Sequence, residues 1–167
     1  FSGMTTFNIS TIFKGDVVGY IDAIRIWLPK PVHIIFITML GFYLLLIAFK
    51  VDPWLALIGA IGYGLSSNLL ISLLAGHNTK VLTIGYMAIG VAGLYKMYNR
   101  KWLAGALLTA LGSGLMLRSG HYQIIFYFML IGAVMTIVYL IEAIKTKTTK
   151  DFAKALGIIA VSAIIGV

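Results

Sequence analysis

The chain has 167 residues, 60% of them hydrophobic and only 11% charged, with a mean hydropathy of +1.00. So few charges cannot cover a soluble domain of this size, and an integral membrane protein is expected. The net charge is +8 and there is no cysteine, which excludes a disulfide framework and a thiolate metal site. Lys and Arg fall in short stretches between apolar runs, and no basic face with interleaved aromatics forms. Nucleic acid is therefore excluded as a partner.

Residues 1–31 are mixed in character. Ser2-Gly3-Met4-Thr5-Thr6 reads as loop. Ile21, Ile24, Trp27 and Leu28 recur at helical spacing, with Asp22, Arg25 and Lys30 off that face. This predicts a short amphipathic helix lying in the membrane interface, ended by Pro29 and Pro31. Residues 32–167 then read as an all-α polytopic bundle of about six spans, each apolar run approaching the roughly 30 Å of hydrocarbon at about 1.5 Å per residue. The runs are Val32 to Phe49, Trp54 to Leu74, Val81 to Tyr98, Trp102 to Leu117, Ile124 to Ile144, and Phe152 to Val167. Lys50-Val51-Asp52-Pro53 is predicted as a tight turn, and His33, at the head of the first run, as an interface residue. Glycines dot the second, third and fourth runs and are expected to let helix backbones approach closely. The chain opens on Phe1 and closes inside an apolar run, so it is expected to be an internal piece of a longer protein.

Alternating spans sort the connections onto two faces. One face carries Lys50, Lys96, Arg100, Lys101, Lys145, Lys147, Lys150 and Lys154 and is expected to be cytoplasmic by its excess of cations. The other carries residues 1–31, including Lys14, Arg25 and Lys30, together with Gly76-His77-Asn78-Thr79-Lys80 and Arg118-Ser119-Gly120-His121-Tyr122-Gln123. These two polar loops and the stretch Ser2–Thr11 are expected to converge outside the membrane. Lys80 and Arg118 suit phosphate, the first as a point charge and the second as a fork. His77 and His121 suit proton movement near neutral pH. Asn78, Tyr122 and Gln123 suit a hydroxyl-rich ligand such as a sugar. No carboxylate stands beside either histidine in the sequence, so no metal is expected on these residues. No nucleophile motif, phosphate loop or dinucleotide fingerprint is present.

Phe1-Ser2-Gly3-Met4-Thr5-Thr6-Phe7, Gly41-Phe42-Tyr43-Leu44-Leu45, Ala75-Gly76-His77-Asn78-Thr79-Lys80-Val81, and Arg118-Ser119-Gly120-His121-Tyr122-Gln123 followed by Tyr127 together resemble the bacterial YfhO membrane proteins. The form common in Bacteroidetes is the most similar, and the likeness runs over nearly the whole chain in the same order. The resemblance implies a multi-pass protein of the bacterial cytoplasmic membrane, related to the GT-C glycosyltransferases. Such enzymes take a sugar from a polyprenyl-phosphate donor on the outer side of the membrane; some YfhO members serve teichoic-acid glycosylation. A cell-envelope glycan is the expected acceptor, and on the chemistry of the side chains His77 and His121 are expected to be catalytic and Asn78, Lys80, Arg118, Tyr122 and Gln123 to bind substrate. The resemblance implies a catalytic acid, and any divalent metal, on residues upstream of Phe1, so that the fragment alone would be inactive. Where the family often has Ala-Asn before the second histidine, this chain has Ser119-Gly120, which keeps His121 and removes an amide. Two other readings stand beside this one: a segment of a transporter or flippase, and a module that only packs against other membrane helices.

Overall fold

The computed structural model describes Leu28, Pro29 and residues 31–166. The stretch Ser2–Thr11 and, apart from Leu28, the interfacial helix expected before Pro29 lie outside these residues. Seven helices follow among the described residues, with no strand: α1 (Val32–Ala48), α2 (Pro53–Gly64), α3 (Ser67–Leu74), α4 (Asn78–Tyr98), α5 (Trp102–Ser119), α6 (Tyr122–Lys145) and α7 (Thr149–Ile165).

Each of the six apolar runs folds as helix, and the second does so in two pieces. Its break falls at Leu65 and Ser66, where α2 and α3 meet at 40°. By length and composition, α4 and α6 can each cross a membrane, and the bent α2–α3 pair would make a third crossing. The remaining runs are shorter or more polar: α1, for example, is apolar but has 17 residues.

The helix boundaries follow from capping chemistry. At Lys50–Pro53, Asp52 caps α2 by accepting from the backbone N–H groups of Trp54 (2.9 Å) and Leu55 (3.4 Å), and Pro53 enters at the first helical position. Four helices end alike. After α1, α4, α6 and α3, one residue adopts a left-handed backbone: Lys50 (φ 64°), Arg100 (φ 61°), Lys147 (φ 57°) and Gly76 (φ 82°). In each, the amide one position further on reaches back to close the last turn: Val51 to Leu46 O, Lys101 to Lys96 O, Thr148 to Ala143 O and His77 to Ser72 O, at 2.9 to 3.1 Å. Glycine is the easy occupant of that position. Three of the four instead carry a cation, and those three lie at one end of the bundle.

The core is built around α4, which packs against α1 on one side and α5 on the other. Two small clusters fill it: Tyr86, Ile89, Leu115 and Met116 between α4 and α5, and Ile34, Leu69 and Val81 between α1, α3 and α4. Contact is backbone to backbone in places. A methyl group added at Gly41 would collide with the carbonyl of Gly85, and one at Gly112 would lie 2.5 Å from the amide nitrogen of Gly90. Thr38, fully buried on α1, donates to Ile34 O at 2.8 Å and faces Val81 O of α4 at 3.4 Å.

Burial runs opposite to a water-soluble bundle. In the most apolar window of α6 only 6% is buried, whereas 67% of the equivalent, less apolar window of α4 is covered. Phe126, Met129, Leu130, Val134, Ile137, Val138 and Ile144 on α6 are all more than half exposed. An apolar face this large needs hydrocarbon or another apolar surface against it. Small and weakly polar residues at the helix contacts, with large apolar ones outside, is the arrangement that works in lipid, where burying a leucine gains nothing.

Candidate functional site

The two polar stretches expected to converge do so, and they are built alike. Most of each is helix rather than loop. Gly76 takes a left-handed backbone, His77 is the N-cap of α4, and Asn78, Thr79 and Lys80 form its first turn. Gly120 likewise takes a left-handed backbone (φ 69°), His121 is the N-cap of α6, and Tyr122 and Gln123 begin that helix. Arg118 and Ser119 are the last turn of α5. So a glycine turns the chain and a histidine starts the next helix, twice. Neither histidine caps with its side chain, which leaves both imidazoles available for other work.

His121 carries the perturbation. Its pKa is pushed below the ordinary histidine value, first by burial and then by the nearby charges of Lys80 and His77. Each of these effects disfavours a second positive charge on the ring. Its Nε2 is buried and makes no hydrogen bond among the described residues. A neutral imidazole with a desolvated nitrogen is suited to taking or giving a proton.

The turns are tied together just beneath. Thr83, one helical turn below Thr79, is fully buried, and its hydroxyl lies 2.6 Å from that of Ser119. Thr83 Oγ1 also donates to Thr79 O and Ser119 Oγ to Met116 O, both at 2.6 Å. This link was not singled out from sequence. The signal in the sequence is a hydroxyl, Thr83, one turn below the first polar stretch and another, Ser119, inside the second.

His33 is buried rather than interfacial, at 4% exposure, and its Nδ1 has no hydrogen-bond partner among the described residues. Its neighbour Ile34 packs with Val81, the neighbour of Lys80. All three histidines of the chain therefore stand at one end of the bundle, at the starts of α1, α4 and α6. They do not gather into a metal site: among the described residues no group of three His, Cys, Asp or Glu side chains comes together. The described carboxylates, Asp52, Glu142 and Asp151, belong to turns and helix ends on the opposite side.

The rest of the expected set is less closely held. Lys80 and Asn78 are half-buried, and His77, Arg118, Tyr122 and Gln123 are exposed. Gln123 donates through Nε2 to the Tyr127 hydroxyl at 2.9 Å, one turn along α6. His77, Lys80 and His121 are brought together; Tyr122, 64% exposed, shares their end of the molecule without a recorded contact to them.

Compared with known proteins, the chain matches no protein-family model, no curated protein and no solved structure.

Proposed function

We propose that the chain forms part of an integral membrane glycosyltransferase of GT-C type, akin to the YfhO proteins, which transfers a sugar from a polyprenyl-phosphate donor to a cell-envelope acceptor. One observation carries this reading. A single end of the bundle collects His33, His77, His121, Lys80 and Arg118, and no described carboxylate joins them. Such a cluster seeks an anion, and at a membrane surface a lipid-linked phosphate supplies one.

In this reading Lys80 and Arg118 hold the donor phosphate and offset the charge left on it as the sugar departs. His121, kept neutral, moves the acceptor's proton or orients it through the buried Nε2. His77 assists, and Asn78, Tyr122 and Gln123 contact sugar or carrier oxygens. Six helical runs and the bare apolar face of α6 support several crossings of the bacterial cytoplasmic membrane. The cation excess at the opposite end supports turning the histidine end outward.

The test is transfer of radiolabelled sugar from polyprenyl phosphate in membranes that carry the full-length protein. His121→Ala and Lys80→Ala should each lower transfer by about 100-fold, the usual scale for losing an acid–base group or a charge partner. Wild-type rates in both variants would overturn the assignment.

The break between α2 and α3 favours a second reading, a transporter or flippase segment, because such proteins place discontinuous helices at their substrate sites. The break falls at Leu65 and Ser66, with Ser67 and Asn68 opening α3, and holds no ionisable residue. Lipid-linked sugar crossing the bilayer without chemical transfer would favour it.

A further inference from the structure

The opposite end of the bundle holds a cavity of about 340 Å³ between the ends of α4 and α6 and the start of α7. Three rings form one wall. Tyr98 stacks between Tyr139, at 4.5 Å, and Phe152, at 5.9 Å, each pair within 14° of parallel. Asn99 braces it by donating to Tyr95 O at 2.8 Å and to the Tyr139 hydroxyl at 3.3 Å. Arg100 and Asp151 close one side as an ion pair at 2.8 Å.

The charges here are placed against the local trend. This end is crowded with Lys and Arg, yet two of the three described carboxylates line this one cavity. Asp52 caps a helix and Asp151 pairs with Arg100, so both have structural partners. Glu142 has none: its carboxylate makes no hydrogen bond or ion pair among the described residues, although Lys145 follows one turn later. Arg100 spends one edge on Asp151 and, being 59% exposed, keeps further N–H groups for an anion. The cavity thus offers an unpaired carboxylate and a guanidinium within one small volume, beside ring walls at the level where α4 and α6 end.

We propose that this cavity binds an aminoalkyl phosphodiester headgroup of the phosphoethanolamine type, its ammonium on Glu142 and its phosphate on Arg100. A headgroup without an amine, such as phosphoglycerol, leaves Glu142 unmatched. A trimethylated amine keeps the charge but has no N–H to donate to the carboxylate. The site lies at the other end of the bundle from the histidines and does not rest on the transferase reading.

The experiment uses the full-length protein in nanodiscs of phosphatidylethanolamine, phosphatidylglycerol and phosphatidylcholine, released for native mass spectrometry. Retained phosphatidylethanolamine should exceed retained phosphatidylglycerol by about fivefold, the scale of one partly screened ion pair. Glu142→Gln should bring the two to parity, and Glu142→Asp should keep the preference; both changes fall on an exposed residue and leave packing intact. Equal retention by the wild type, or an undiminished preference in Glu142→Gln, would overturn the proposal. Free phosphoethanolamine that competes as well as the lipid would overturn the lipid as the source and make the ligand a soluble aminophosphate.

Discussion

Thr83 on α4 and Ser119 on α5 lie hydroxyl to hydroxyl at 2.6 Å, and between them they make three short contacts with only two protons to share. Each hydroxyl also addresses a backbone carbonyl of its own helix, so one contact is always served at the expense of another. Thr83→Val keeps the shape and removes one proton and one acceptor. It should cost about 1 kcal/mol, as should Ser119→Ala, and the pair in a double-mutant cycle should show coupling of about the same size. Thermal unfolding in a fixed detergent measures all three. Fully additive losses would mean that the hydroxyls do not interact.

His121 makes stability depend on pH in a definite direction. Its pKa in the folded protein lies below the ordinary value, because of burial and the charges of Lys80 and His77. The unfolded chain therefore binds the proton more tightly than the folded one. Stability should be full above about pH 6.5 and decline as the pH falls through the window below it. His121→Asn should flatten that decline relative to wild type when unfolding is followed at pH 5.5 and 7.5. Lys80→Met should return the imidazole part of the way toward its ordinary pKa, read by NMR titration of the ring. Burial, the larger cause, remains in that variant, so a full return is not expected.

Lengths and polar breaks made the helices legible in the sequence, because an apolar run in a chain this poor in charge has few other folds open to it. Pairing of the two polar stretches was legible too, from the alternation of the runs. The broken second run was not. Gly62, Gly64, Ser66 and Ser67 read equally well as small residues for close packing, and only the three-dimensional path of α2 and α3 separates a break from a groove. Nor was the depth of His33: it begins its helix, where a histidine ordinarily meets water, and is instead covered. The likeness of the two glycine–histidine turns was present as a bare dipeptide. It became informative only with the left-handed backbone at Gly76 and Gly120.

Backbone contact between α4 and α5 sets a steep penalty on added volume. Gly112→Ala would put a methyl group 2.5 Å from the Gly90 amide nitrogen and 3.2 Å from Tyr86 O, and neither neighbour can rotate away. The helices must separate, at a cost of about 2 to 3 kcal/mol. Gly62→Ala meets nothing within 4 Å on α2 and should gain about 0.5 to 1 kcal/mol from helix propensity. Opposite shifts in unfolding temperature in the same detergent would bear this out; two shifts of one sign would contradict the packing of α4 on α5.

Lys50, Arg100 and Lys147 occupy left-handed positions that glycine would fill with less strain. Lys147 is exposed and ends α6 without an ion pair of its own, so Lys147→Gly isolates the backbone effect. It should stabilise the protein by about 1 kcal/mol, whereas the β-branched Lys147→Val should destabilise it by more than that. That lysine stands there at such a cost fits a need for positive charge at this end. The combined Lys50→Gly and Lys147→Gly variant should therefore fold more stably in detergent, yet insert with a larger fraction of chains inverted when expressed in cells.

The 167 residues hold no cysteine, so once any cysteine elsewhere in the full-length protein is replaced, a thiol introduced at either end reports the sidedness of that end. Thr79 is exposed in the first turn of α4, and Lys147 is exposed after α6, at the opposite end of the bundle. Thr79→Cys and Lys147→Cys, made singly in the full-length protein, place one thiol at each end. A membrane-impermeant maleimide added to intact cells with a permeabilised outer membrane should label Thr79→Cys at once. Lys147→Cys should stay unlabelled until the cytoplasmic membrane is opened. The reverse pattern would turn the bundle over and bring the histidines to the cytoplasmic side, where a donor activated by a nucleotide is the more accessible substrate. Labelling of both from outside would mean that α6 does not cross the membrane, and that its bare apolar face meets protein instead of lipid.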